Sequence, residues 1–148
     1  MLTPGVDTYA TTAELQARAA EYGGTLPPDT EAQEVLLRRA AEAMNAWAWV
    51  GRPVSAEQPL AWPRADVPGV ACDAVPMAVK QAQCALAIEI HADDLDPPEA
   101  RRGPVVREKV DALEVAYAEP PAARRRRPAS LVLAAPYLRP ARVQAVRT

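Results

Sequence analysis

Asp29-Thr30-Glu31-Ala32-Gln33-Glu34-Val35-Leu36-Leu37-Arg38-Arg39-Ala40-Ala41-Glu42-Ala43-Met44-Asn45-Ala46-Trp47 is the stretch whose reading decides the fold. Asp29 or Thr30 can cap a helix. Behind the cap, Val35, Leu36, Ala40, Ala43, Met44 and Trp47 recur at spacings of one, three and four, while Glu31, Glu34, Arg38 and Glu42 lie mostly on other faces. That period predicts an amphipathic helix over about residues 30–49. An apolar stripe must be covered, so the flanking sequence should supply further helices.

It does so on both sides. Upstream, Thr11 and Glu14 have capping-box spacing, with Thr12 as a competing cap; Leu15, Ala19 and Tyr22 form a stripe, and Gly23-Gly24 is a stop. Downstream, Asp73 can cap a third helix with Pro76 in its first turn. Val75, Val79, Ala82, Leu86 and Ile90 are its stripe, and Asp93, Asp94, Asp96, Pro97 and Pro98 end it. Between the second and third helices, Gly51, Pro53, Pro59, Pro63, Pro68 and Gly69 exclude a helix and argue against a central strand. Leu60 and Trp62 can anchor this long loop. An exposed Trp is costly, so Trp62 either plugs the loop onto the helices or anchors a neighbouring subunit.

After residue 100 the period changes. Val105–Val110 and Leu113–Tyr117, separated by Asp111-Ala112, read as a β-hairpin. Two strands alone are marginally stable, so the arm should project from the helices or pair across subunits, with Val106, Leu113, Val115 and Tyr117 as contact residues. An Arg and Pro linker, a short helix over about 129–137 and an extended tail follow. The expected architecture is mainly α: a small bundle of three to four helices with a β-hairpin arm and an extended C-terminal tail. The chain divides into a helical body (1–100) with its Pro-rich loop (50–71), the arm (101–119), and the linker, short helix and tail (120–148), all within a single domain.

Composition fits that picture. The chain has 148 residues, 16 Pro and no Phe, and only 5% of it is aromatic. Much of its 49% apolar content is Ala, so the core should be thin and its helices closely packed. The net charge of −2 conceals a separation: residues 1–100 balance at −9 and residues 101–148 at +7. An acidic body with a basic tail can pair with its own copies or with an acidic partner. No apolar run approaches the ~18 residues of a membrane span, and Met1-Leu2-Thr3-Pro4-Gly5 lacks a signal peptide's features. Cys72 and Cys84 read as reduced thiols in a cytoplasmic product.

Chemistry-bearing constellations are sparse. His91, the one His, sits near Asp93, Asp94 and Asp96, but transition-metal and calcium spacings are both missing. There is no Gly-rich phosphate loop after a strand. No enzymatic activity, metal or cofactor is expected. Arg124-Arg125-Arg126-Arg127 can neutralise phosphates. However, no aromatic lies between Tyr117 and Tyr137 to stack a base, and Pro brackets the run.

Arg52-Pro53-Val54-Ser55-Ala56-Glu57-Gln58-Pro59-Leu60-Ala61-Trp62-Pro63-Arg64 resembles a loop of the head–tail adaptor (connector, head completion) proteins of tailed bacteriophages. Further similarity lies in Pro4–Tyr9 with Ala13-Glu14-Leu15, in Gly103–Val110 with Leu113–Tyr117, and in Leu131, Leu133, Pro136, Tyr137 and Leu138 before an Arg-rich end. Asp111-Ala112, where the family often has Gly, and the Arg-rich linker depart from the pattern. The resemblance implies a structural protein forming a ring of about twelve copies between portal and tail, in the virion neck, after synthesis in the host cytoplasm. Its partners would be itself, the portal, the next neck or tail protein, and packaged DNA contacted without sequence specificity; no membrane is implied. Leu60, Trp62, Pro63 and Arg64 would anchor the loop. The tail residues Leu138, Arg139, Arg142, Val143, Val146 and Arg147 would order on the portal, having too little apolar surface to order alone. Proteins of this type are often labelled DnaT-like, so the alternative is a single-stranded-DNA-binding replication accessory protein.

Overall fold

A computed structural model describes residues 1–97, 109–110, 113–114 and 127–141. The fold is mainly α. Helices α1 (Thr12–Tyr22), α2 (Thr30–Asn45) and α3 (Met77–Leu95) pack together, and the short α4 (Ala129–Ala134) lies along α3 and runs into a 3₁₀ turn, Ala135–Tyr137. The loop between α2 and α3 contains a two-residue antiparallel ladder, β1 (Arg52–Pro53) with β2 (Arg64–Ala65). A second ladder pairs β3 (Lys109–Val110) with β4 (Leu113–Glu114), the register expected around Asp111-Ala112. The remaining hairpin residues, Val106, Val115 and Tyr117 among them, lie outside the described residues.

Local chemistry sets the helix ends. Thr11 Oγ1 accepts from Glu14 N at 3.2 Å, and Glu14 Oε2 accepts from Thr11 N at 2.7 Å, closing the expected capping box. Gly23 ends α1 in the left-handed region at φ 73°. Asp29 caps α2 through Ala32 N. That helix stops at Asn45, short of the predicted residue 49, because its open end is capped from outside. The Trp49 indole folds back and donates to the Met44 carbonyl at 2.7 Å. Asn45 Nδ2 donates to Pro59 O, and Asn45 Oδ1 accepts from Ala61 N. These contacts occupy groups that would otherwise carry the helix onward or go unpaired. α3 starts at Met77 rather than just after Asp73, with Pro76 as its N-cap. The residue before a Pro is sterically excluded from helical geometry, which keeps Val75 out. At its other end α3 takes in Asp93 and Asp94.

Two apolar clusters form the core. Ala10, Leu15, Leu36, Leu37, Ala40, Cys84 and Ala87 fill the space among α1, α2 and α3. Tyr9, Ala41, Met44, Trp49, Leu60, Trp62, Val67, Val79, Ala82 and Ala134 fill the other end, where the loop and α4 join the helices. The helices pack through alanines, as the composition implies. Three stripe positions are corrected: Val35, Ala43 and Tyr22 face outward, while Gln33, Leu37, Ala41 and Gln83 are buried. Gln83 is inside because its amide is fully used. Oε1 accepts from Tyr9 N and Ala10 N, both at 2.9 Å, and Nε2 donates to Thr8 Oγ1 at 2.7 Å and to Leu37 O at 2.8 Å. One side chain thereby staples the N-terminal segment to α2 and α3.

Candidate functional site

The residues singled out in the Pro-rich loop converge on the aromatic cluster. Trp62 is 1% exposed, and its ring meets Trp49 and Tyr137 edge-on, with centroids 5.7 and 5.6 Å away. Trp47 lies 5.6 Å from Trp49 and extends the stack. The Trp62–Pro63 peptide is cis. Trp62 N donates to the Tyr9 hydroxyl at 3.2 Å, and burial holds the Tyr9 phenol above its ordinary range despite backbone hydrogen bonds that pull the other way. Trp62 therefore plugs its own loop, one of the two roles its exposure cost allowed. Its indole Nε1 has no hydrogen-bond partner, alone among the buried side-chain N and O atoms of the described residues; ring packing has to offset that cost.

Arg64, two residues further on, is only 7% exposed. Its guanidinium is held by main-chain oxygens: Nε donates to Val50 O at 2.8 Å, Nη1 to Ala61 O at 3.1 Å and Nη2 to Gly51 O at 2.9 Å. Three carbonyl dipoles replace the carboxylate a buried cation would ordinarily need. Burial, and then the nearby charge of Arg139, lower its pKa.

The C-terminal segment closes over this loop. Val50 N donates to Tyr137 O at 2.9 Å, Arg139 N donates to Ala48 O at 2.8 Å, and Trp49 bridges Leu138 in antiparallel fashion. α4 is fixed upstream by Glu89 of α3, which accepts from Ser130 N at 3.0 Å and Ser130 Oγ at 2.6 Å. Leu138 is half-buried against the body, and Arg139 is exposed. Arg142, Val143, Val146 and Arg147 lie outside the described residues, as do Arg124, Arg125 and Arg126.

The sites weighed for other chemistry are occupied differently. Asp94 makes a bidentate pair with Arg39 at 2.6 and 3.1 Å, which lowers its carboxyl pKa. Among the described residues no group of three or more His, Cys, Asp or Glu could hold a metal ion, and no helix is long and apolar enough to cross a membrane. Both cysteines are free: Cys72 is exposed, and burial pushes the Cys84 thiol up to about 12. Tyr22, expected inside, is 70% exposed, with the Arg18 guanidinium 4.3 Å over its ring. Arg18 and Tyr22 stand four apart on α1, a spacing that could have revealed the pair.

The family profile described as "Putative DnaT-like ssDNA binding protein" matches residues 1–148. The chain belongs to this family. Nothing among curated proteins and nothing among solved structures matches it. For a DnaT-like chain the placement of the aromatics matters: Trp49 and Trp62 are consumed by the core and Trp47 is half-buried, so Tyr22 is the exposed aromatic among the described residues.

Proposed function

We propose that this protein is a non-enzymatic accessory protein that binds single-stranded DNA mainly through phosphate charge, with its helical body as the carrier. The family match over the whole chain carries this reading. It is supported by the charge separation, with Arg124–Arg127 and Arg139 in a C-terminal region that is basic while the body is acidic. The buried Trp pair favours backbone contact over base stacking. Binding of a dye-labelled (dT)20 strand tests it by fluorescence anisotropy across a salt series. The logarithm of the association constant should fall linearly with that of salt, by roughly 0.7 per phosphate contacted. Absence of binding at low salt refutes the reading.

A second reading is the phage head–tail adaptor. It is favoured by the acidic body with few surface aromatics, and by the resemblance of Arg52–Arg64, Gly103–Tyr117 and the closing helix. In it, about twelve copies ring the portal in the virion neck, extend the DNA channel and receive the next neck or tail protein. Loss of the protein would leave capsids that package DNA but neither retain it nor join tails, visible by electron microscopy of a lysate. Normal tailed particles would remove this reading, and a replication defect would favour the first.

A further inference from the structure

The corner around Gly51 concentrates positive charge on an acidic body. Residues 1–97 hold fourteen acidic against six basic side chains. Yet Arg64 and Arg139 meet at this one place, and Arg52 follows Gly51 in the chain. The Gly51 carbonyl accepts from Arg64 Nη2 at 2.9 Å and from Arg139 Nη2 at 3.4 Å, so two guanidinium groups share one neutral oxygen. Neither makes an ion pair with any carboxylate of the described residues, whereas Arg52 is paired with Asp66 at 2.8 Å. The backbone beneath is fixed. Gly51 sits at φ 71°, and a Cβ there would collide with the Ala65 carbonyl oxygen. Arg64 is locked by three carbonyls, and the Arg139 main chain is tied to Ala48. A rigid buried cation behind an exposed one, with N–H groups left over on both, is preorganised for an anion with several oxygens.

We propose that the Gly51 corner is a phosphate-binding subsite, in which Arg139 makes the open contact, Arg64 supplies fixed positive charge behind it and Arg52 stands at the rim. Resting on the single-stranded-DNA reading above, its ligand is a phosphodiester of the strand. The subsite would grip the backbone on the folded body and set where the strand leaves the basic C-terminal region. Among the described residues no aromatic side chain is exposed at this corner, so the contact is blind to base identity.

The test has two arms on the full chain. In the first, pyrophosphate is titrated while the arginine Nε–H resonances are followed by NMR. Those of Arg64 and Arg139 should shift saturably, and Arg139→Gln should abolish the Arg64 shift. In the second, (dT)20 binding is compared between the wild type, Arg139→Gln and the distant control Lys80→Gln. Arg139→Gln should weaken binding several-fold and lower the salt slope by roughly 0.7; Lys80→Gln should leave the slope unchanged. The main-chain bond to Ala48 is kept in Arg139→Gln, so its thermal midpoint should match the wild type. Unmoved arginine resonances overturn the subsite even if (dT)20 binds. Equal shifts with acetate overturn the phosphate assignment in favour of a protein carboxylate. If pyrophosphate binds here but (dT)20 does not bind the protein, the single-stranded-DNA reading fails and the strand as ligand fails with it, while the anion site stands.

Discussion

The two ends of the core are made of different materials. Among α1, α2 and α3 the filling is Leu15, Leu36 and Leu37 set between alanines, supplied by consecutive helices. At the other end it is Tyr9, Trp49, Trp62 and Tyr137, brought together from the N-terminal segment, the α2–α3 loop and the C-terminal segment. The first end stands on helix approach; the second packs loop aromatics onto Ala41, Met44, Val79, Ala82 and Ala134 of the helices, and exists only when the tertiary fold is complete. Gln83 joins them, reaching from α3 to the segment at Thr8–Ala10 and to α2.

The sharpest test of this contrast removes Trp62. Trp62→Ala should cost about 3–5 kcal/mol in urea unfolding and release residues 137–141, seen as faster amide exchange at Val50 and Arg139. If exchange there is unchanged, the aromatic end does not hold the C-terminal segment. Next in size, Gln83→Leu should cost about 2–4 kcal/mol, because several buried polar groups lose their partner together. A loss no larger than that of an exposed substitution would mean that the two ends are not joined through this amide. A smaller effect separates the ends by pH. Cys84 belongs to the helical end and Tyr9 to the aromatic end, and both titrate above their ordinary values in the folded state. The folded protein therefore holds protons that the unfolded chain releases. Stability should be full below about pH 9 and decline as pH rises toward 12. Cys84→Ala should flatten part of that decline; an unchanged slope would leave Tyr9 as its source. In the same molecule, Cys72 should react with a thiol reagent at once and Cys84 only on unfolding. The least effect is expected outside both cores: Arg39→Ala breaks an exposed pair with Asp94 and should leave the urea midpoint unmoved in physiological salt.

The helical end was more legible in the sequence than the aromatic end. Capping residues act locally, so Thr11, Glu14, Gly23 and Asp29 could be read directly. The C-terminal end of α2 and the start of α3 depend on Trp49 turning back and on the exclusion of Val75 by Pro76; the latter rule is legible in the sequence, and the former needs the fold. In an alanine-rich helix the apolar stripe has little contrast, so periodicity alone does not tell the exposed Val35 and Ala43 from the buried Leu37 and Ala41. Nothing in the sequence marks Gln83 as buried, because its partners, the Tyr9 and Ala10 N–H groups, the Thr8 hydroxyl and the Leu37 carbonyl, are brought to it only by the fold. Trp62 was legible as a plug, with a neighbouring subunit as the other possibility. Leu60 was legible as an apolar residue able to anchor the loop, but the three carbonyls around the Arg64 guanidinium were not.

All three tryptophans of the chain, Trp47, Trp49 and Trp62, belong to one stack. Intrinsic tryptophan emission therefore reports on a single end of the molecule, and the packing of α1 against α2 and α3 is dark to it. Far-ultraviolet circular dichroism reads mostly that silent end. The protein carries a built-in pair of optical channels. Overlay of the two unfolding curves would mean that the ends melt as one unit, and their separation would show the aromatic knot opening while the helices persist.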